Sequence, residues 1–309
     1  MPNATAPYMS LNGRIVPYEA CTIHAFAAGM KYGVGVFEGL RGYWNAERND
    51  MFVFRLRNHL ERLRYGMRVL RLEPIFDARV LQDALLAMIR ANDLRESSHL
   101  RIIAFLDADD DYAATGPAGF VCGAVPKPRS ASVTTGIHVA VASYARLADN
   151  AMPPRVKCTG NYVNNRAAEM EARRNGYDGA LMLTAQGKVS EGTGACFFMV
   201  RDGVLHTPDV ASDILESITR DSLIRLAGEQ LGLTVCQRTI DRHEIYAADE
   251  AFWCGSSYEV QPILSLDRLA IGCGAPGPVT QALQRAYFAA AEGHTDDHAD
   301  WRSPVYANA

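Results

Sequence analysis

Lysine is the residue this chain does without. Of 31 basic side chains in 309 residues only four are lysines: Lys31, Lys127, Lys157 and Lys188. A guanidinium keeps its proton, whereas an amine can lose one and attack a carbonyl. Each retained lysine therefore raises a chemical question. Other absences exclude whole classes of function. No apolar run is long enough to cross a bilayer. The opening MPNATAPYMSLNGRIV has neither a basic nor an apolar region, so no signal peptide is expected. The seven cysteines are dispersed without CxxC, which predicts reduced thiols in a cytoplasm rather than disulfides or a metal site. A net charge of −4, with arginines scattered rather than striped, gives no reason to expect nucleic acid. Glycines 33, 35 and 39 depart from the GxGxxG spacing and no βαβ unit follows, so a dinucleotide loop is not read. The acidic run Asp107–Asp111 lacks the glycine and final glutamate of an EF-hand and reads as a solvated loop.

What remains is ordinary globular material, 48% hydrophobic and 21% charged, enough for one large or two moderate domains. Residues 1–126 read as a small α+β domain. Asn12-Gly13 turns a first hairpin, and Glu19–Met30 reads as a loop entering the glycine-bearing residues 31–39. Paired strands flank Asn45–Asp50, and amphipathic helices span Arg57–Leu70 and Asp77–Asn92. Strands Leu100–Leu106 and Phe120–Val125 follow. The Pro- and Ser-rich residues 127–135 are the expected linker. Residues 136–309 form the larger domain, with a hairpin around Asp202-Gly203 and a helix from Ser217 to Gly232. A closing helix spans Pro278–Ala291, and an acidic tail after Gly293 reads as loosely docked.

One stretch organises the rest, from Lys157 to Gly194. Asn161 can cap a helix over Tyr162–Arg174 that ends at Gly176. Ala180–Thr184 then reads as a buried strand, Ala185–Gly187 as a turn and Lys188–Glu191 as the returning strand. Lys157 and Glu191 thus both reach element ends, where side chains can converge on a ligand. On residues alone two readings of Lys157 stand, a Schiff-base amine or an ordinary survivor. Glu191 can equally be a strand-end carboxylate in water.

The combination is more specific than its parts. Lys157-x-x-Gly160-Asn161-Tyr162, Glu171-Ala-Arg-x-x-Gly176-Tyr177 and Ser190-Glu191-Gly192-x-Gly194 resemble the signature of the class IV pyridoxal-phosphate aminotransferases. Tyr32-Gly33, Phe37-Glu38-Gly39-Leu40-Arg41, Phe54-Arg55, His59, Arg62-Leu63 and Ile218-Thr219-Arg220-Asp221 fall in the same order. The resemblance covers nearly the whole chain and is closest to the branched-chain amino acid aminotransferases. It implies an α+β architecture of fold type IV, two domains with the cofactor between them, and a homodimer or higher homo-oligomer.

It also implies roles. Lys157 forms the Schiff base to pyridoxal 5′-phosphate and then carries the proton. Glu191 pairs with the pyridine nitrogen, and Tyr162 bonds the ring's phenolic oxygen. Arg55, Ile218, Thr219 and Ser256 hold the phosphate. Tyr32, Phe37, Arg41, Arg101, Ser257 and Tyr258 face the amino acid and 2-oxo acid substrates, Arg101 receiving glutamate's distal carboxylate. Two departures bear on specificity. The family's tyrosine two positions before Arg101 is His99 here, and its aromatic-rich segment closing the first domain is replaced by Pro126-Lys127-Pro128-Arg129. Three functions stay open: an L-amino acid:2-oxoglutarate transaminase, a D-amino acid or (R)-amine transaminase or aminodeoxychorismate lyase, and a binding protein on the same fold.

Overall fold

The computed structural model describes residues 6–109 and 111–307. They form two compact units. One holds the described residues up to Pro128, Val156–Gly160 and those from Ala289 onward; the other holds Arg129–Arg155 and Asn161–Phe288. The break at Pro128 falls inside the expected linker, while two later segments rejoin the first unit.

The first unit is built on an antiparallel sheet. Asn12 and Gly13 take positive φ values of 50° and 83°, the left-handed turn that lets β1 (Tyr8–Leu11) fold onto β2 (Arg14–Pro17). After the short helix α1 (Ala28–Lys31) come β3 (Gly35–Asn45) and β4 (Asp50–Phe54). Helices α2 (Leu56–Val69) and α3 (Ala78–Ala91) precede β5 (Ser98–Leu106) and β6 (Ala118–Pro126). The helices pack on the sheet through α2 against β3 and α3 against β1 and β6. Leu60, Leu63 and Met67 of α2 and Leu81, Leu85 and Met88 of α3 are buried, at the helical spacing the sequence predicts. Asp77 caps α3 by accepting the Arg79 N–H at 2.7 Å.

Two expectations are corrected in this unit. The loop expected over Glu19–Met30 ends in α1, and the glycine-bearing residues 35–39 beyond it are the first half of the 11-residue strand β3. Gly39 is no breaker there: a side chain at that position would lie 3.0 Å from the His99 ring on β5, so glycine makes room for a neighbour. The tail after Gly293 is not loosely docked. Arg302–Pro304 adds a strand to the edge of β4, giving seven strands in the order C-terminal strand, β4, β3, β5, β6, β1, β2. Trp301 and Val305 are buried, and the Asp50 carboxylate accepts the N–H groups of Val305, Tyr306 and Ala307. The open edge of β4 supplied backbone partners that composition does not announce.

The second unit carries a mixed sheet. Its elements are α4 (Ser132–Thr135), β7 (Ile137–Val141), α5 (Tyr162–Arg174), β8 (Gly179–Leu183), β9 (Val189–Gly192), β10 (Cys196–Arg201) and β11 (Val204–Thr207). Then follow α6 (Ile218–Leu231), β12 (Val235–Gln237), α7 (Arg242–Ile245), β13 (Glu250–Gly255), β14 (Glu259–Leu266), β15 (Leu269–Ala270) and α8 (Pro278–Glu292), whose residues from Ala289 belong to the first unit. The order is β12-β11-β10-β13-β14-β7-β8-β9, with β15 paired to β14. Three contacts are parallel, β11 with β12, β14 with β7 and β7 with β8. Its core gathers Ile137, Leu181, Phe197, Trp253 and Ile263. An antiparallel sheet in one unit and a mixed sheet in the other, with helices set apart from the strands, make the chain α+β, as expected. Asn161 does not cap α5: it is already helical, and its amide donates instead to the Pro153 carbonyl at 3.2 Å.

Among the described residues no helix is long and apolar enough to cross a membrane. None of their His, Cys, Asp and Glu side chains group to hold a metal ion. Asp110, in the acidic run, lies outside the described residues; its neighbour Asp109 pairs with Lys31 at 3.2 Å. Trp301→Ala should destabilise the protein by about 3–5 kcal/mol, the usual loss for emptying a buried indole site. Denaturant unfolding checks it, and an unchanged midpoint would show that the tail is dispensable.

Candidate active site

Lys157 sits in the short segment that rejoins the first unit, tied to β3 like a partial extra strand. The Phe37 N–H donates to the Lys157 carbonyl at 2.9 Å, Cys158 bridges to Val36, and the Thr159 N–H donates to the Gly35 carbonyl at 2.9 Å. The Thr159 hydroxyl adds a 2.6 Å bond to the Gly33 carbonyl. These bonds fix the backbone of a flexible side chain whose amine lies 4.9 Å from the centre of the Phe37 ring. Lys157 is half-buried.

The strand that holds Lys157 is itself fixed from below. Glu38, fully buried, accepts from the Arg62 guanidinium at 2.7 Å through both carboxylate oxygens, and the His59 ring Nδ1 lies 2.7 Å away. Burial pushes the Glu38 carboxyl up, but Arg62 and His59 outweigh it and hold it at about 2. Burial also lowers the pKa of His59, against the pull of Glu38. His59 and Arg62 are three residues apart on α2, hence on one helical face. That spacing was the available signal for a triad which sequence reasoning did not assemble.

Arg55 stands at the start of the same helix. It takes a left-handed φ of 52°, which a non-glycine residue adopts only when the surroundings enforce it. Its N–H donates to the Trp301 carbonyl at 2.6 Å, its guanidinium covers the Trp301 ring at 4.8 Å, and Asn58 accepts from Nε at 2.7 Å. The corrected C-terminal tail therefore positions this arginine.

Phe37, Arg41 and Arg101 share the sheet face away from the helices. Direct cross-strand pairs join Gly39 to Arg101 and Arg41 to His99. The Arg101 guanidinium lies 5.0 Å from the Phe37 ring centre and 3.4 Å from the His99 Nε2. Tyr32 stands apart, half exposed, with the Lys31 amine 5.4 Å from its ring centre.

The remaining candidates belong to the second unit. Glu191, on β9, is buried. Arg146 donates to its Oε1 from Nε at 3.0 Å and Nη2 at 2.9 Å, while the Leu215 N–H donates to Oε2 at 3.1 Å. Arg146 in turn donates to Asn165 on α5 at 3.2 Å, and Asn165 donates to the Thr193 carbonyl at 2.7 Å. Arg146 and Asn165 escaped the sequence reading because an isolated arginine or asparagine carries no spacing signal.

The glycines of the Ser190–Gly194 motif have packing reasons. Side chains at Gly192 and Gly194 would press within 2.9 Å of the Trp253 ring and 3.1 Å of the Tyr258 ring. Burial raises the pKa of Tyr258, and its ring meets Trp253 edge-on at 6.0 Å. Ser256 and Ser257 are half-buried on the turn between β13 and β14. Tyr162 is the first residue of α5, close enough to Tyr258 to add to the effect of burial on that phenol.

Ile218 and Thr219 open α6. Ser217 caps that helix by accepting the Arg220 N–H at 3.2 Å, and helix geometry leaves the first N–H groups without intrahelical acceptors, an arrangement suited to an anion. Arg220 is not a ligand candidate here. Buried, it donates to Thr207, Pro208 and Gln237 and so anchors the helix start.

The donor set suits one kind of ligand. In the second unit a carboxylate backed by arginine suits a pyridine N–H and a helix terminus suits a phosphate; in the first, Arg55 suits a phosphate and the Lys157 amine an aldehyde. The family model for class IV aminotransferases matches residues 35–266. The chain belongs to the class IV aminotransferases. Its cofactor is accordingly pyridoxal 5′-phosphate.

Relatives agree over full length. A probable branched-chain-amino-acid aminotransferase of Aquifex aeolicus is 35% identical over 95% of each chain. The holo crystal structure of the Thermobaculum terrenum branched-chain aminotransferase superposes with a TM-score of 0.93 at 39% identity, covering 97% and 99% of the two chains. The branched-chain aminotransferase of the archaeon Thermoproteus uzoniensis, solved with norvaline, gives 0.93 at 38% identity, covering 98% and 100%.

Two outcomes follow from this geometry. Arg146→Leu should destabilise the fold by roughly 3–5 kcal/mol, because the buried Glu191 carboxylate loses its cation. A variant as stable as the parent would show that Glu191 does not depend on it. The Glu38 carboxyl is lowered in the folded state, so its stabilising contribution is complete above the ordinary value of 4.5 and is lost as pH falls toward about 2. Glu38→Gln should therefore flatten the decline in stability across that window. Denaturant melts at stepped pH check this, and parallel curves would refute it.

Proposed function

We propose that this chain is a branched-chain L-amino acid:2-oxoglutarate aminotransferase that works in a cytoplasm as a homodimer or higher homo-oligomer. The observation that carries the activity is Lys157 bonded to β3 together with a buried, arginine-backed Glu191, in a chain matched end to end by branched-chain aminotransferases. The oligomer reading rests on the exposed Phe26, Met30 and Tyr112 of the first unit, apolar side chains of the kind that mark contacts between proteins.

When bound, pyridoxal phosphate supplies the carbonyl that takes up the amino group and the electron sink that makes the substrate's Cα acidic. The chain supplies the rest. Lys157 holds the cofactor through Nζ and, once displaced by the substrate amine, moves the proton from Cα with that same atom. Glu191 accepts the pyridine N–H and keeps the ring nitrogen protonated. Arg146 and the Leu215 N–H orient it for that task. Arg55, Ser256 and the leading N–H groups of α6 at Ile218 and Thr219 bind the phosphate. Tyr162 donates to the ring's phenolic oxygen. The substrate carboxylate meets the turn at Ser257 and Tyr258, while Tyr32, Phe37, Arg41 and Arg101 line its side chain. Phe37 suits an apolar side chain and Arg101 the distal carboxylate of glutamate, so one enzyme serves both half-reactions.

Purified protein given pyridoxal phosphate should show a visible absorption band that L-leucine bleaches and 2-oxoglutarate restores. A band bleached only by a D-amino acid or an (R)-amine would overturn the substrate reading. Lys157→Ala should lower turnover by more than a thousandfold, since no proton carrier remains, and substantial residual turnover would refute the role of Lys157. Arg55→Ala should weaken cofactor retention in equilibrium dialysis, and unchanged affinity would remove Arg55 from the site.

A further inference from the structure

Strand pairing in the first unit collects cations on a single face of the sheet. Side chains alternate along a strand, so Phe37, Gly39 and Arg41 of β3 share a face, and their partners on β5 and β6 share it with them. Successive rows across these strands are Phe37, Ile103 and Val121; Gly39, Arg101 and Gly123; then Arg41, His99 and Val125. Lys127 continues the alternation from Val125. Its N–H extends the ladder to the Ser97 carbonyl at 3.0 Å, and Arg41 clamps its carbonyl at 2.7 Å. Lys157 and Arg101 both lie over the Phe37 ring, at 4.9 and 5.0 Å. From the Lys157 amine the face thus runs to Arg101, then to Arg41 with His99, and then to Lys127.

His99 records the field on that face. Its Nδ1 is buried with no hydrogen-bond partner. Burial, followed by the charges of Arg101, Lys127 and Arg41, pushes its pKa down to about 3. A neutral imidazole packed over Gly39 therefore sits among cations and can offer a hydrogen bond without adding a fifth charge. Neither Lys127 nor His99 fits the aromatic pattern of the family at these positions.

We propose that Lys127, with His99, is a specificity determinant that biases the side-chain pocket toward amino acids carrying a carboxylate at the far end, glutamate and longer dicarboxylic acids, at the expense of branched apolar ones. An ammonium on a flexible stem, one row beyond Arg41, meets an anionic group on an extended arm. For a branched hydrocarbon the same ammonium offers only a desolvation penalty. The inference rests on the transaminase reading above.

The test compares kcat/KM for L-glutamate and L-leucine in the parent, Lys127→Met and Lys127→Arg holoenzymes, alongside calorimetric titration with glutarate, an unreactive dicarboxylate. The glutamate-to-leucine ratio should fall at least tenfold in Lys127→Met, mainly through KM for glutamate, and recover in Lys127→Arg. Glutarate affinity should fall by a similar factor and weaken with added salt. Transaminases whose ratio and glutarate affinity both stay within twofold of the parent would overturn the proposal and leave the proposed function standing. A parent protein inactive with both amino acids would overturn both.

Discussion

The constraint on which the first unit's chemistry depends is the hold that β3 keeps on residues 157–159. Three backbone and side-chain bonds lock that segment, so a lysine with four rotatable bonds starts from a fixed origin. The strand performs three tasks at once. Its outer face carries Phe37 and Arg41, its inner face sends Glu38 into the triad with His59 and Arg62, and its backbone pins Lys157. Because α2 begins directly after Arg55 and carries both triad partners, the buried charges couple a candidate phosphate ligand to the strand that positions the amine. A buried carboxylate without Arg62 and His59 would destabilise the unit, so this arrangement survives only complete.

The second unit solves a similar problem around Glu191. A buried carboxylate needs a cation and hydrogen bonds, and Arg146 and the Leu215 N–H supply them. The same bonds tie β9 to the segment leading into α6, whose first N–H groups face outward from a capped start. Orientation of the carboxylate and of the helix terminus is thereby one structural fact rather than two.

Much of this was legible in the sequence. Asn12-Gly13 and Asp202-Gly203 specify their turns because only those residues reach positive φ at little cost. Ser217 and Gly232 bound α6 at both ends, as a cap and a left-handed stop should. Motif spacing, rather than periodicity, marked Lys157 and Glu191. What escaped was long-range. The C-terminal tail looked polar and mobile, yet an open strand edge and the Asp50 carboxylate order it, and Trp301 then braces Arg55. Residues 35–39 gave no strand signal, because the sequence cannot display the His99 ring that makes Gly39 necessary. Arg146 reaches Glu191 across 45 positions of chain, a separation at which no local pattern exists.

The scarcity of lysine makes the central claim directly measurable. Borohydride reduction of the cofactor-loaded protein fixes the cofactor to whichever amine holds it, and peptide mass mapping then locates the mark. With four lysines in the chain, the assignment is unambiguous. The account predicts a stoichiometric label on Lys157 alone. A label on Lys31, Lys127 or Lys188, or none on any lysine, would contradict it.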